Sequence, residues 1–109
     1  MEINIKIKLF VEGIHCWSEC PIPEVSFLRN PHRHIFHIAC QKEVTHNDRD
    51  IEIIMFKREV ESYLRTKYGT PCDFGGMSCE MIAIELTNAF KLSICEVMED
   101  GENGAIITK

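Results

Sequence analysis

The stretch Ile3-Asn4-Ile5-Lys6-Ile7-Lys8-Leu9-Phe10-Val11-Glu12-Gly13-Ile14-His15 decides the fold. Ile3, Ile5, Ile7, Leu9, Val11, Gly13 and His15 share one face, and most residues between them are polar or charged. A period of two is what a strand with one buried side requires. A long half-buried strand is therefore expected, with a histidine at its end on the side being buried. The alternation resumes at His32, with His34, Phe36, Ile38 and Cys40 on one side and Arg33, Ile35, His37 and Ala39 on the other, which predicts a second strand. Consecutive strands pair most simply with each other.

The residues between these strands, 17 to 31, hold Pro21, Pro23 and Pro31 without a sustained period and read as a loop with a short turn near Glu24 to Leu28. Thr45 to Asp50 is a polar turn, and the apolar piece Ile51 to Ile54 either extends the sheet or leads into a helix. From Met55 to Tyr68 the spacing becomes helical, with Phe56, Val60, Tyr63 and Leu64 on one side and Gly69 placed to end the helix. Thr70 to Met77 is a connector. Ser78 caps a second helix running to about Ala89, with Glu80 in its first turn. Residues 90 to 98 form a third strand with Phe90, Leu92, Ile94, Glu96 and Met98 in phase, and a turn at Asp100 to Gly104 leads to a last strand at Ala105 to Thr108. The expected architecture is α+β: a four-stranded antiparallel sheet in the order strand, strand, helix, helix, strand, strand, with both helices on one face.

At 109 residues the chain is one domain, 1–109, since two halves would each lack a useful core. The formal charge of -5, from 17 acidic and 12 basic residues, has the wrong sign for a broad nucleic-acid surface. The alternating start is neither a secretion signal nor a membrane span, which points to the cytoplasm. In that compartment thiols stay reduced, and Cys40, Cys79 and Cys95 read as small buried hydrophobes. No phosphate-binding glycine loop, serine nucleophile elbow or acidic calcium loop is present.

His32 and His34, two apart on a strand, send their rings off the same face roughly 6.6 Å apart along the chain. His15 points to the buried side of the neighbouring strand, so three imidazoles can meet at one ion. Three nitrogen ligands with an open fourth position suit a reactive zinc site, with nickel, cobalt or iron as alternatives. Glu96 shares the phase of Leu92, Ile94 and Met98 and is expected to face inward, where a lone carboxylate is costly. It either reads a ligand's adjacent N–H donors or is turned outward by a bulge or neutralised by Arg or Lys. Trp17 and Phe27 lie in a loop beside the proposed pocket, where they either stack on a planar ligand or pack on the core. His37 faces away from His34.

The arrangement resembles the tunnelling-fold family of 6-pyruvoyl-tetrahydropterin synthase and 6-carboxy-tetrahydropterin synthase. The resemblance is carried by His15 after the first strand, by Pro31-His32-Arg33-His34-Ile35-Phe36, by Ser78-Cys79-Glu80-Met81-Ile82-Ala83 and by Ile94-Cys95-Glu96-Val97, which follow the family's order across residues 5 to 107. It implies zinc on His15, His32 and His34, a pterin-like or purine-like ring anchored by Glu96 with Glu80 among the ligand-binding residues, and a homo-oligomer, commonly a hexamer, that covers the sheet edges. Leu28 stands where the family's synthases have a cysteine, and Phe74 where a histidine is expected; neither can move a proton. The sequence therefore supports a divergent member that binds a small heterocycle. The alternative is a zinc-dependent carbon–oxygen lyase or isomerase in which Cys20, Glu24 or Asp73 takes over proton transfer.

Overall fold

The computed structural model describes residues Met1–Lys109. The opening alternation becomes strand β1 (Ile3–His15), on which Ile7, Leu9, Val11 and His15 are buried while Lys6, Lys8 and Phe10 are exposed. β2 (His32–Val44) runs antiparallel to it in unbroken register from Ile3↔Val44 to His15↔His32. The segment joining them carries a 3-10 helix, Pro23–Arg29, with Pro at its start, where the missing N–H costs nothing.

Helix α1 (Ile53–Tyr68) begins two residues earlier than its spacing suggests, because the Glu52 carboxylate accepts the free N–H groups of Ile54 and Met55. It buries Phe56, Val60 and Leu64 and ends at Gly69, whose φ of 87° suits a residue without a Cβ. Helix α2 (Cys79–Phe90) is capped by the Ser78 hydroxyl, which accepts from Met81 N–H, and buries Cys79, Ile82, Ala83 and Leu86. Between the helices lies a strand where a connector was expected. In β3 (Cys72–Gly75), Cys72 and Phe74 turn inward while Asp73 and Gly75 face out. It pairs parallel to the end of β1, with Gly13 opposite Cys72.

β4 (Ile94–Glu99) pairs antiparallel with β2, and β5 (Asn103–Thr108) antiparallel with β4. The sheet is therefore five-stranded and mixed, in the order β3-β1-β2-β4-β5, rather than four-stranded and wholly antiparallel. Both α-helices pack on one face, where Leu9, Phe36, Ile38, Val60, Leu64, Leu86 and Val97 form a single core. No helix is long and apolar enough to cross a membrane.

The phase of β4 is opposite to that expected from residues 90 to 98. Phe90 still belongs to α2, and Lys91 adopts a left-handed conformation, φ 56°, with Leu92 N–H bonded back to Thr87 O. Leu92 thus still belongs to the end of the helix and the strand begins only at Ile94, so the phase of Leu92 does not carry forward. Cys95 and Val97 are buried, whereas Ile94, Glu96 and Met98 point to the sheet's other face.

Candidate metal centre

The unbroken β1–β2 register ends with His15 opposite His32, and it sets His34 two residues further along β2 opposite Gly13. The ring centroids lie 4.5 Å apart for His15–His32, 5.3 Å for His15–His34 and 5.0 Å for His32–His34. Phe36 packs edge-on beneath two of these rings, 5.2 Å from His15 and 5.7 Å from His34, giving the cluster an apolar floor. Gly13 makes this possible: a Cβ there would lie 2.7 Å from the Phe74 ring and 2.8 Å from that of Phe36.

Each imidazole is held from outside through Nδ1. His15 Nδ1 lies 2.8 Å from Met77 O, His32 Nδ1 2.9 Å from Asn30 O, and His34 Nδ1 2.7 Å from Asp100 Oδ2. A carbonyl or carboxylate oxygen only accepts, so each Nδ1 carries the hydrogen and the lone pair of the neutral ring is on Nε2. All three Nε2 atoms are buried and make no hydrogen bond. Buried polar atoms without partners are uncommon, and three together invite an explanation.

The fourth member of the cluster is Glu99, at the end of β4 opposite Phe36. Its Oε2 lies 3.0 Å from His15 Nε2 and its Oε1 3.6 Å from His34 Nε2. The closer approach is not aligned as a hydrogen bond, since His15 Nε2 counts among the unpartnered atoms. One donor atom from each of His15, His32, His34 and Glu99 lies within 4.8 Å of the others, and the group could hold a metal ion. Three imidazole nitrogens and a carboxylate oxygen match the ligand chemistry of zinc and other first-row divalent ions. Asp100 fits the outer role that metal-bound histidines usually require. Its carboxylate accepts from His34 and from Ile35 N–H, and these bonds hold it below its ordinary value.

The cluster borders a cleft of about 500 Å³, lined on the other sides by Trp17, Leu28, Met77, Cys79 and Glu80. Cys79 is buried, as its apolar surroundings suggested, yet its Sγ also lies 3.8 Å from Glu99 Oε2. Burial first and the neighbouring carboxylate second push this thiol up to about 12.

The structure brings His15, His32 and His34 together and sets Trp17 and Glu80 in the same cleft. Other residues singled out from the sequence lie elsewhere. Glu96 is on the opposite face of the sheet, beside Phe10 and His37, so its expected inward orientation is overturned by the phase break before β4. Phe27 is 66% exposed and does not line the cleft; its neighbour Leu28 does. Cys20 is buried beneath the 3-10 helix, its Sγ 3.7 Å from Ile22 O and 3.8 Å from Val25 O. Glu24 is exposed, and Asp73 spends its carboxylate on Gly75 N–H at 3.1 Å. None of these three borders the cleft. Glu99 is the residue that sequence reasoning missed. The alternation Cys95-x-Val97-x-Glu99 was its signal, overridden by continuing the phase of Phe90 and Leu92, which belong to the end of the helix, into the strand.

Comparison of the chain with known protein families and with curated proteins found no match in either.

Proposed function

We propose that this protein is a divergent member of the 6-pyruvoyl-tetrahydropterin synthase-like group and binds a pterin-like or purine-like small molecule at a zinc-containing pocket. The observation that carries the reading is the set of three buried Nε2 atoms, each presented by a ring whose other nitrogen is tied to an outer acceptor. Such an arrangement presents three lone pairs to one position beside a cleft of about 500 Å³, a volume within the range of small-molecule sites. Zinc would be held by His15, His32 and His34 and would supply Lewis acidity toward a ligand oxygen or nitrogen. Trp17, 46% exposed at the cleft, offers a face on which a planar ring can stack. Within one chain the ring-reading role assigned to Glu96 passes to Glu80, the carboxylate in the cleft that faces no histidine.

A lyase or isomerase is the second reading, favoured by the Cys79 thiol and Glu99 carboxylate facing each other at 3.8 Å in the cleft. Assembly into a homo-oligomer, such as a hexamer, belongs to the same proposal. The sheet face away from the helices exposes Phe10 and Ile106, at 59% and 58%, and a second copy would cover them.

Native mass spectrometry of freshly purified protein, with elemental analysis, tests the proposal. The expected result is one zinc per chain, a multimeric ion series and retention of an added pterin. Chains free of stoichiometric transition metal, or a metal-loaded protein that retains no pterin or purine, would remove the reading.

A further inference from the structure

The contact between Glu99 and His15 joins two hydrogen-bond acceptors. His15 donates its Nδ1 hydrogen to Met77 O, so the neutral ring turns a lone pair toward Glu99 Oε2 at 3.0 Å. Two acceptors at that distance repel unless something positive lies between them. No Lys or Arg pairs with Glu99; the only nitrogen atoms within ion-pair distance of its carboxylate are those of His15 and His34. The carboxylate is thus aimed at the same position as the three Nε2 atoms, with Cys79 Sγ–H at 3.8 Å as its only other partner.

We infer that Glu99 is the fourth protein ligand of the metal, so that the resting centre is three imidazoles and one carboxylate, and that a small molecule reaches the ion by displacing this carboxylate. The inference rests on the metal reading above and replaces its open fourth position with an occupied, exchangeable one. Exchange is favoured by how differently the two adjacent acids are held. Asp100 is fixed by His34 and by Ile35 N–H, whereas Glu99 has no comparable anchor and keeps 29% of its side chain exposed to the cleft. The incoming group must therefore be a donor able to compete with a carboxylate, which on a pterin-like or purine-like ring is an oxygen or nitrogen atom, and a chelating pair of donors does so best.

The test uses Co²⁺ as the probe, which reports its coordination by visible absorption. Metal-free wild type, Glu99→Gln, Glu99→Ala and, as a control on the opposite face, Glu96→Gln are titrated with Co²⁺ and then with azide. Wild type and Glu96→Gln are expected to bind one Co²⁺ with the same spectrum. Both Glu99 variants should bind it at least about tenfold more weakly, with altered bands, since even outer partners of a ligand change affinity by roughly 10- to 100-fold. They should also take azide at least about tenfold more tightly, because the competing carboxylate is gone. Having two variants guards against one that does not fold, as judged by far-ultraviolet circular dichroism without metal. Wild-type affinity and spectrum in a folded Glu99 variant overturn this inference alone. Absence of Co²⁺ uptake by wild type overturns it together with the metal reading.

Discussion

A histidine ring can serve a metal through one nitrogen only if the other is told where to keep its hydrogen. In His34 that instruction comes from Asp100, the one outer acceptor among the three that is charged. Asp100→Asn is expected to weaken Zn²⁺ binding by about 10- to 100-fold while leaving the fold intact, as read by competition with a chromophoric chelator. An unchanged dissociation constant would deny Asp100 this role. Gly13→Ala acts from beneath the site: the added methyl would fall 2.7 Å from Phe74 and 2.8 Å from Phe36, so the floor must move. A loss of about 1–3 kcal/mol in urea unfolding is expected, as for other overpacked cores. At this scale the histidines were legible, because simple alternation fixes the side on which each ring emerges. Glu99 was not, because the phase is reset where the cap at Lys91 and Leu92 gives way to the strand at Ile94, and no period announces that reset.

Elements differ in how openly they declare their ends. Glu52 starts α1 through bonds that are strongest while its carboxylate is charged, and the N–H of Ile54, ahead of that of Met55, holds it below its ordinary 4.5. A group whose folded value is depressed contributes stability above its unfolded value, and that contribution is lost as pH falls through the lower folded value. Glu52→Ala should therefore melt below wild type at neutral pH. The gap should narrow as pH drops beneath about 4.5; a gap that keeps its neutral-pH size in acid would contradict this account. The Ser78 cap is independent of pH over that range, and Ser78→Ala should cost about 1 kcal/mol by denaturant titration. Both α-helices and the β1–β2 pair were readable because many residues repeat one pattern. β3 was not: only Cys72 and Phe74 carry its inward phase, and Pro71, Gly75 and Gly76 around them speak for a turn. What makes it a strand is the free edge of β1, a partner available only after the chain has folded back.

For the whole molecule, an ion bound by the folded chain but not by the unfolded one adds directly to stability. At a free Zn²⁺ concentration about a hundred times the dissociation constant the gain is about 2.7 kcal/mol. Chelator should therefore lower the melting temperature of wild type and leave that of His34→Ala where it was. Equal responses in calorimetry would show that His34 holds no ion. Leu64→Ala, in the centre of the shared core, should cost about 2–5 kcal/mol without altering metal stoichiometry.

The pairing of β1 with β2 residue by residue over thirteen positions has a consequence for assembly. A hairpin that slips by one step sends its imidazoles to the opposite surface. Glu99 arrives only when β4 has docked on β2's far side. If the cluster holds a cation as proposed, misaligned chains would stay empty, and uptake during refolding would report that the β1–β2 and β2–β4 seams have both closed in register.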